Sequence, residues 1–304
     1  MRVKKYIAVA GATAVVMSGL TLAESGTAAA DSGCPSVDVV AVPGTWETGD
    51  QKNQAVIGGG MLAGVTDGLP GSMQVDYISY PATAFPWEGA VYGSSKDVAV
   101  KNAEGVIKDM AARCAATKFA ILGYSQGADA AGDVAARIGT GRGVIPANRV
   151  TAVGLLSDPS RSPADTQVGP QVPGSGAAGT RPGGFGVLTD RVRTICVDGD
   201  LYCSTPEGDY LTRAIGFAAE LSAVNPGDLG RLVADGNSLV GDILANGGIP
   251  MLQNAIGNDQ GNRERVEKLA EFYGAGAHTS YGTYDVGGGE SALQWMHQWI
   301  AGQN

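Results

Sequence analysis

The residues of this chain best suited to chemistry are Gly123-Tyr124-Ser125-Gln126-Gly127, a serine between two glycines that follows a short apolar run and precedes an Ala-rich stretch. Strand, sharp turn and helix form the setting in which a serine hydroxyl is lifted to the end of a sheet. At such a turn, side chains in place of Gly123 and Gly127 would clash. The following helix would aim its N-terminus, with unpaired N–H groups, at the reacting centre. A serine hydroxyl is a poor nucleophile at neutral pH without a base, and the chain has two histidines, His278 and His297. His297 falls in an apolar-patterned C-terminal segment beside Trp295, Met296 and Trp299, where packing accounts for it. His278 lies in the loop Gly274-Ala275-Gly276-Ala277-His278 and is the expected base. The base needs a carboxylate to fix its tautomer and stabilise the imidazolium, and after a serine of this kind the acid and then the histidine follow in chain order. Asp198 and Asp200 both qualify, standing after a strand and between Cys196 and Cys203. Asp200 is the choice and Asp198 its turn neighbour, although position alone leaves both open. The chemistry is acyl transfer through an acyl-enzyme, which requires no cofactor.

Positioning these groups requires a sheet. Apolar or alternating runs predict strands over 36–42, 73–80, 118–122, 150–156 and 191–196, and helical spacing predicts helices over 95–116, 128–138 and 291–301. Their alternation argues for an α/β fold with a mostly parallel sheet covered on both faces. A turn, Pro43-Gly44-Thr45, ends the first strand. Residues 157–186, rich in Pro, Gly, Ser and Ala, read as a long surface loop. Residues 207–273 read instead as helical segments broken at Asn225-Pro226-Gly227 and Gly247-Gly248, with apolar positions such as Phe217, Leu221, Leu232 and Leu239 suited to a helical cap.

The first thirty residues read as an address. Arg2, Lys4 and Lys5 precede an apolar run, and Ala28-Ala29-Ala30 supplies a small-residue cleavage signal, so a signal peptide over 1–30 is expected, with cutting after Ala30. No transmembrane anchor is expected after that cut. Removing three of the 21 Lys and Arg and one of the 30 Asp and Glu leaves 18 against 29, a net charge of −11. Such a surface repels phosphate backbones, so nucleic acid is excluded as a partner. With 304 residues, 44% apolar and 17% charged, the chain is too apolar for disorder, and its 47 glycines without a three-residue period exclude collagen. In an exported chain the four cysteines, Cys34, Cys114, Cys196 and Cys203, read as two disulfides. Three pairings exist in principle; the closeness of Cys196 and Cys203 favours a bond between them, which leaves Cys34 with Cys114. No metal site is expected, because the cysteine spacing is wrong and only two histidines could help.

Gly123-Tyr124-Ser125-Gln126-Gly127, then Cys196-Val197-Asp198-Gly199-Asp200-Leu201-Tyr202-Cys203, then a late His278, together resemble the cutinase family of α/β-hydrolases. The resemblance implies a triad of Ser125, Asp200 and His278, with Asp200 preferred over Asp198 as the aspartate of a C-x-x-G-D-x-x-C loop. It also implies the disulfides Cys34–Cys114 and Cys196–Cys203. In Pro43-Gly44-Thr45-Trp46-Glu47-Thr48-Gly49, Thr45 takes the place of the family's first oxyanion-hole serine, and the backbone N–H of Gln126 is the second donor. Asp200 and His278 lie 78 positions apart, far more than in compact cutinases. A helical insertion there resembles the larger cutinase-like esterases of mycolic-acid bacteria, such as trehalose dimycolate hydrolases, and phage lysin B esterases. What this implies is a secreted or cell-wall serine esterase, monomeric, acting on apolar esters or glycolipids such as trehalose dimycolate. A general cutinase- or lipase-type esterase, a phospholipase or thioesterase, an acyltransferase, and a catalytically dead glycolipid-binding protein share parts of this reading.

Overall fold

The computed structural model describes residues 33–49, 59–84, 90–206 and 276–304; the leader expected over 1–30 and the helical cap expected over 207–273 lie outside them. The strands are β1 (Val37–Val42), β2 (Met73–Tyr77), β3 (Lys118–Tyr124), β4 (Val150–Leu156) and β5 (Val192–Ile195). The helices are α1 (Ala63–Thr66), α2 (Tyr92–Arg113), α3 (Gln126–Gly139) and α4 (Ala292–Ala301). The sheet runs β2-β1-β3-β4-β5 with every pairing parallel.

Parallel strands must be covered on both faces, so both sets of alternating residues are apolar. From β1 and β3, Val40, Val42, Phe119 and Ile121 join the core under α2 and α3, where Val100, Ile107 and Val134 meet them. The intervening Val39, Ala41, Ala120 and Leu122 join the opposite core with Leu62, Val65, Met296 and Ile300. A capping box, Ser291 with Gln294, starts α4. The Cys34–Cys114 disulfide ties the approach to β1 to the end of α2, and Cys196–Cys203 closes the loop after β5.

The register brings the strand ends to one rim: Val42 faces Gly123, Tyr124 faces Leu156, and Leu156 faces Ile195. In open parallel sheets this carboxyl-end rim is where ligands bind. Several boundaries move by one to three residues from the sequence reading, and two of the shifts have local reasons. β3 runs two residues further, to Tyr124, directly into the turn at Ser125. β2 stops at Tyr77 because the chain then bends inward, burying Ile78 and Tyr80, whose hydroxyl donates to Pro43 O at 2.6 Å.

Residues 157–186 are not a plain surface loop. Ser157, Asp158, Ser160, Arg161 and Arg181 are all buried. Composition pointed outward because glycine and proline are common there, but two guanidinium groups turn the segment inward. Arg161 Nε donates to Cys203 O at 2.6 Å, and its Nη2 to Pro173 O and Gly174 O. Arg181 binds Asp158 at 2.5 Å and Asp133 and Asp129 of α3 at 2.9 and 3.1 Å.

Candidate active site

Ser125 occupies a backbone conformation that few residues tolerate, φ 55 and ψ −126, between the end of β3 and the first residue of α3. Its N–H is held by Leu156 O at 3.0 Å. The flanking glycines are required sterically. A Cβ on Gly123 would stand 2.4 Å from Gly127 O, and one on Gly127 would stand 2.1 Å from Val42 O and 2.3 Å from Pro43 O. These obstacles are backbone atoms and cannot swing aside, so the closeness of β3, α3 and the end of β1 depends on both glycines.

His278 sits in the short 3-10 turn Ala277–Gly282. Its Nε2 lies 2.9 Å from Ser125 Oγ, and its Nδ1 lies 3.1 and 3.2 Å from the two oxygens of Asp200. Asp200 is fully buried, whereas Asp198 is exposed. The Asp200 carboxylate also accepts from Tyr281 Oη at 2.7 Å and from the Tyr202 N–H at 3.1 Å. The imidazole lies near two rings, Tyr124 with centroids 5.2 Å apart and Tyr202 at 4.5 Å. Tyr124 Oη donates to His278 O at 2.6 Å, so the residue before the serine also anchors the histidine's backbone. Burial, reinforced by neighbouring carboxylates, raises the phenols of Tyr124 and Tyr281 above their ordinary range, so both stay protonated donors. His297 is elsewhere: its Nδ1 meets Val65 O at 2.8 Å, joining α4 to α1.

The turn after β1 is braced at several points. The Glu47 carboxylate accepts from the N–H groups of Gly44 and Met61, both at 2.8 Å, and Trp46 N–H donates to Ala82 O at 2.8 Å. Burial raises the Glu47 carboxyl, and those two backbone bonds oppose it. Thr45, half-buried, sits within this turn, and the close approach of Gly127 to Val42 and Pro43 holds the turn beside the start of α3. Gln126 turns its side chain away, donating to Thr83 O at 3.0 Å. Its backbone N–H, in the first turn of α3, has no carbonyl one turn back to meet. Trp46 is 64% exposed and adopts φ 64. Among the described residues no cluster of His, Cys, Asp and Glu could hold a metal ion, and no helix is long and apolar enough to cross a membrane.

A buried serine in hydrogen-bond contact with an imidazole, itself backed by a buried carboxylate, is an arrangement suited to acyl transfer. The model of the Cutinase family matches residues 33–217. The chain belongs to the cutinase family. It is 34% identical over 232 residues to a Carboxylesterase Culp6 homolog of Corynebacterium glutamicum, covering 64% of this chain and 75% of that one. It is 30% identical over 172 residues to Cutinase CUT1 of Coprinopsis cinerea, covering 56% and 71%. Among solved structures, the catalytic core of an acetyl xylan esterase from Trichoderma reesei aligns with a TM-score of 0.45 and 21% identity, over 68% of this chain and 99% of that one. Lysin B of mycobacteriophage D29 aligns at 0.44 and 20%, over 88% and 98%. The cutinase family and the carboxylesterase relative make this protein a carboxylic ester hydrolase. Its two disulfides and its family suggest an extracellular enzyme.

In this cutinase the structure brings together Ser125, His278 and Asp200, and keeps Asp198 and His297 apart from them. It adds residues that sequence reading passed over: Glu47 under the turn, Tyr281 on the acid, Ser157 beside the imidazole, and the two arginines within 157–186. Glu47 stood inside the motif string around Thr45 and could have been singled out there. The others carry no spacing signal, because each has a partner 42 or more positions away.

Proposed function

We propose that this enzyme hydrolyses carboxylic esters through a triad of Ser125, His278 and Asp200. Ser125 Oγ attacks the ester carbonyl while His278 Nε2 takes its proton, and Asp200 holds the Nδ1–H tautomer and stabilises the imidazolium. The N–H groups of Thr45 and Gln126 receive the oxyanion, with the N-terminus of α3 adding a positive potential. The alcohol leaves with the proton from His278, and water then cleaves the acyl-enzyme by the same relay. The observation that carries this reading is the unbroken chain of contacts, 2.9 Å from Ser125 to His278 and 3.1 Å from His278 to Asp200. Ser125→Ala is expected to lower kcat by about 10⁴- to 10⁶-fold and to abolish labelling by a fluorophosphonate probe. Retained labelling or turnover would remove Ser125 from the mechanism.

The substrate reading is a long-chain acyl ester of the cell envelope, a mycolate glycolipid such as trehalose dimycolate, reached by a chain exported through residues 1–30. Its support is the 78-position separation of acid and base and the apolar character of the chain between them. An apolar cover over the acyl chain would contribute about 0.8 kcal/mol per buried CH₂. Mass spectrometry of products from p-nitrophenyl esters, triglyceride, a phospholipid, a polyester and trehalose dimycolate, with and without an acceptor sugar, tests this. Preferential release of free mycolate supports the reading. Preference for short, phospholipid or polymeric esters, or transfer to the sugar, replaces it.

A further inference from the structure

One hydroxyl beside the imidazole lies outside the triad. Ser157 follows the last residue of β4, is fully buried, and stands at φ 54, a left-handed backbone costly for a residue with a Cβ. It is held there from both sides: its N–H donates to Ile195 O at 3.0 Å, and the next residue, Asp158, is gripped by Arg181. The result of this strain is that Ser157 Oγ lies 3.0 Å from His278 Nδ1, the nitrogen that also faces both oxygens of Asp200. A carboxylate cannot donate, so with Asp200 ionised the proton between them belongs to Nδ1, and the Ser157 oxygen is its second acceptor. The same carboxylate accepts from the Tyr281 phenol, at 2.7 Å on Oδ2. Ser157 and Asp200 therefore both stand on Nδ1, and Tyr281 braces the carboxylate from its other side.

We propose that Ser157 is a positioning residue that shares the Nδ1 proton with Asp200, fixes the plane of the His278 ring and adds a second oxygen to stabilise the imidazolium. This rests on the Ser125–His278–Asp200 reading. The groups against the imidazole are Asp200 and Tyr202 from the acid loop and Tyr124 from β3; Tyr281 from its own turn bonds to Asp200, and Glu47 in the turn after β1 is close enough to feel the charge of the ring. Ser157 joins Asp200 within hydrogen-bond distance of Nδ1.

The test compares the full-length enzyme with Ser157→Ala, Ser157→Gly and Ser125→Ala, using a soluble p-nitrophenyl ester. Loss of the hydroxyl should lower kcat about 5- to 20-fold with KM little changed. It should also move the acid limb of the kcat/KM profile to lower pH, because the protonated ring loses an acceptor. Glycine relieves the backbone strain at this position, so Ser157→Gly should keep its melting temperature near that of the parent while losing activity as Ser157→Ala does. Wild-type kcat and acid limb in both variants would overturn the proposal. So would a fall in kcat that tracks lost stability with the limb unmoved. If Ser125→Ala stays active, the triad reading itself fails; if it is inactive while the Ser157 variants match the parent, only the role of Ser157 falls.

Discussion

At the end of β3 Ser125 is held by missing side chains, whereas beyond β4 and β5 Asp200 is held by large polar ones. Around Ser125, two glycines let three backbone segments close to distances at which a single methyl group would collide. Around Asp200, a buried arginine, a disulfide, a phenol and a backbone N–H secure the loop from within. The first device works by contact between adjacent pieces of chain. The second draws on residues scattered from Arg161 to Tyr281. A site can therefore combine one part that tolerates no added atom with another that tolerates no removed charge.

The largest effect should come from Gly127→Ala, because the new Cβ would press on two carbonyl oxygens at the end of β1. Loss of soluble, folded protein is expected, read by yield and circular dichroism; a cooperative unfolding transition like the parent's would break the steric half of the comparison. Next is Arg181→Met, which leaves Asp129, Asp133 and Asp158 buried, with Lys96 still paired to the first two and Asp158 stripped of its bidentate partner. Urea unfolding should show a loss of about 3–5 kcal/mol, the usual result of stripping one partner from a buried ion pair. Replacing both Cys196 and Cys203 by serine should cost about 2–3 kcal/mol on the loop-entropy view, with a parallel drop in kcat as the Asp200 loop loosens.

The smallest effect sharpens the contrast from the other end of β1. Asp38 is fully buried, and its carboxyl is pushed up to about 7, first by burial and then by Asp76, against a weaker pull from Arg113. The folded chain keeps a proton that the unfolded chain gives up near pH 4, so this group's contribution to stability falls as pH rises from about 4 towards 7. Asp38→Asn should raise the melting temperature more at pH 8 than at pH 5. Equal shifts at both values would show that ionisation of Asp38 is not what limits stability.

The same division governs how much could be read in advance. The elbow, the sheet and the close cysteine pair were legible because each is local: a glycine two residues before and two after a serine, an apolar run, a short loop. His278 could be preferred to His297 because a helix with tryptophans around a histidine already explains it, and the structure gives His297 a backbone partner in α1. Asp200 against Asp198 was a narrower matter. Two residues apart in one loop, they differ in burial, and burial is set by the fold around Tyr281 and Arg161 rather than by their neighbours. The segment 157–186 misled because glycine and proline signal turns wherever they lie. Nothing in its composition says that Arg181 will reach a helix 48 positions earlier.

Arg181 has one more consequence, for inheritance. A planar cation meeting carboxylates from α3 and from the segment after β4 can be neither neutralised nor shortened without stranding them, and the loss of any one aspartate leaves a buried N–H of the guanidinium without its acceptor. Asp129, Asp133, Asp158 and Arg181 should consequently drift through descent as a block, kept together or exchanged together for an apolar set, with intermediates selected against.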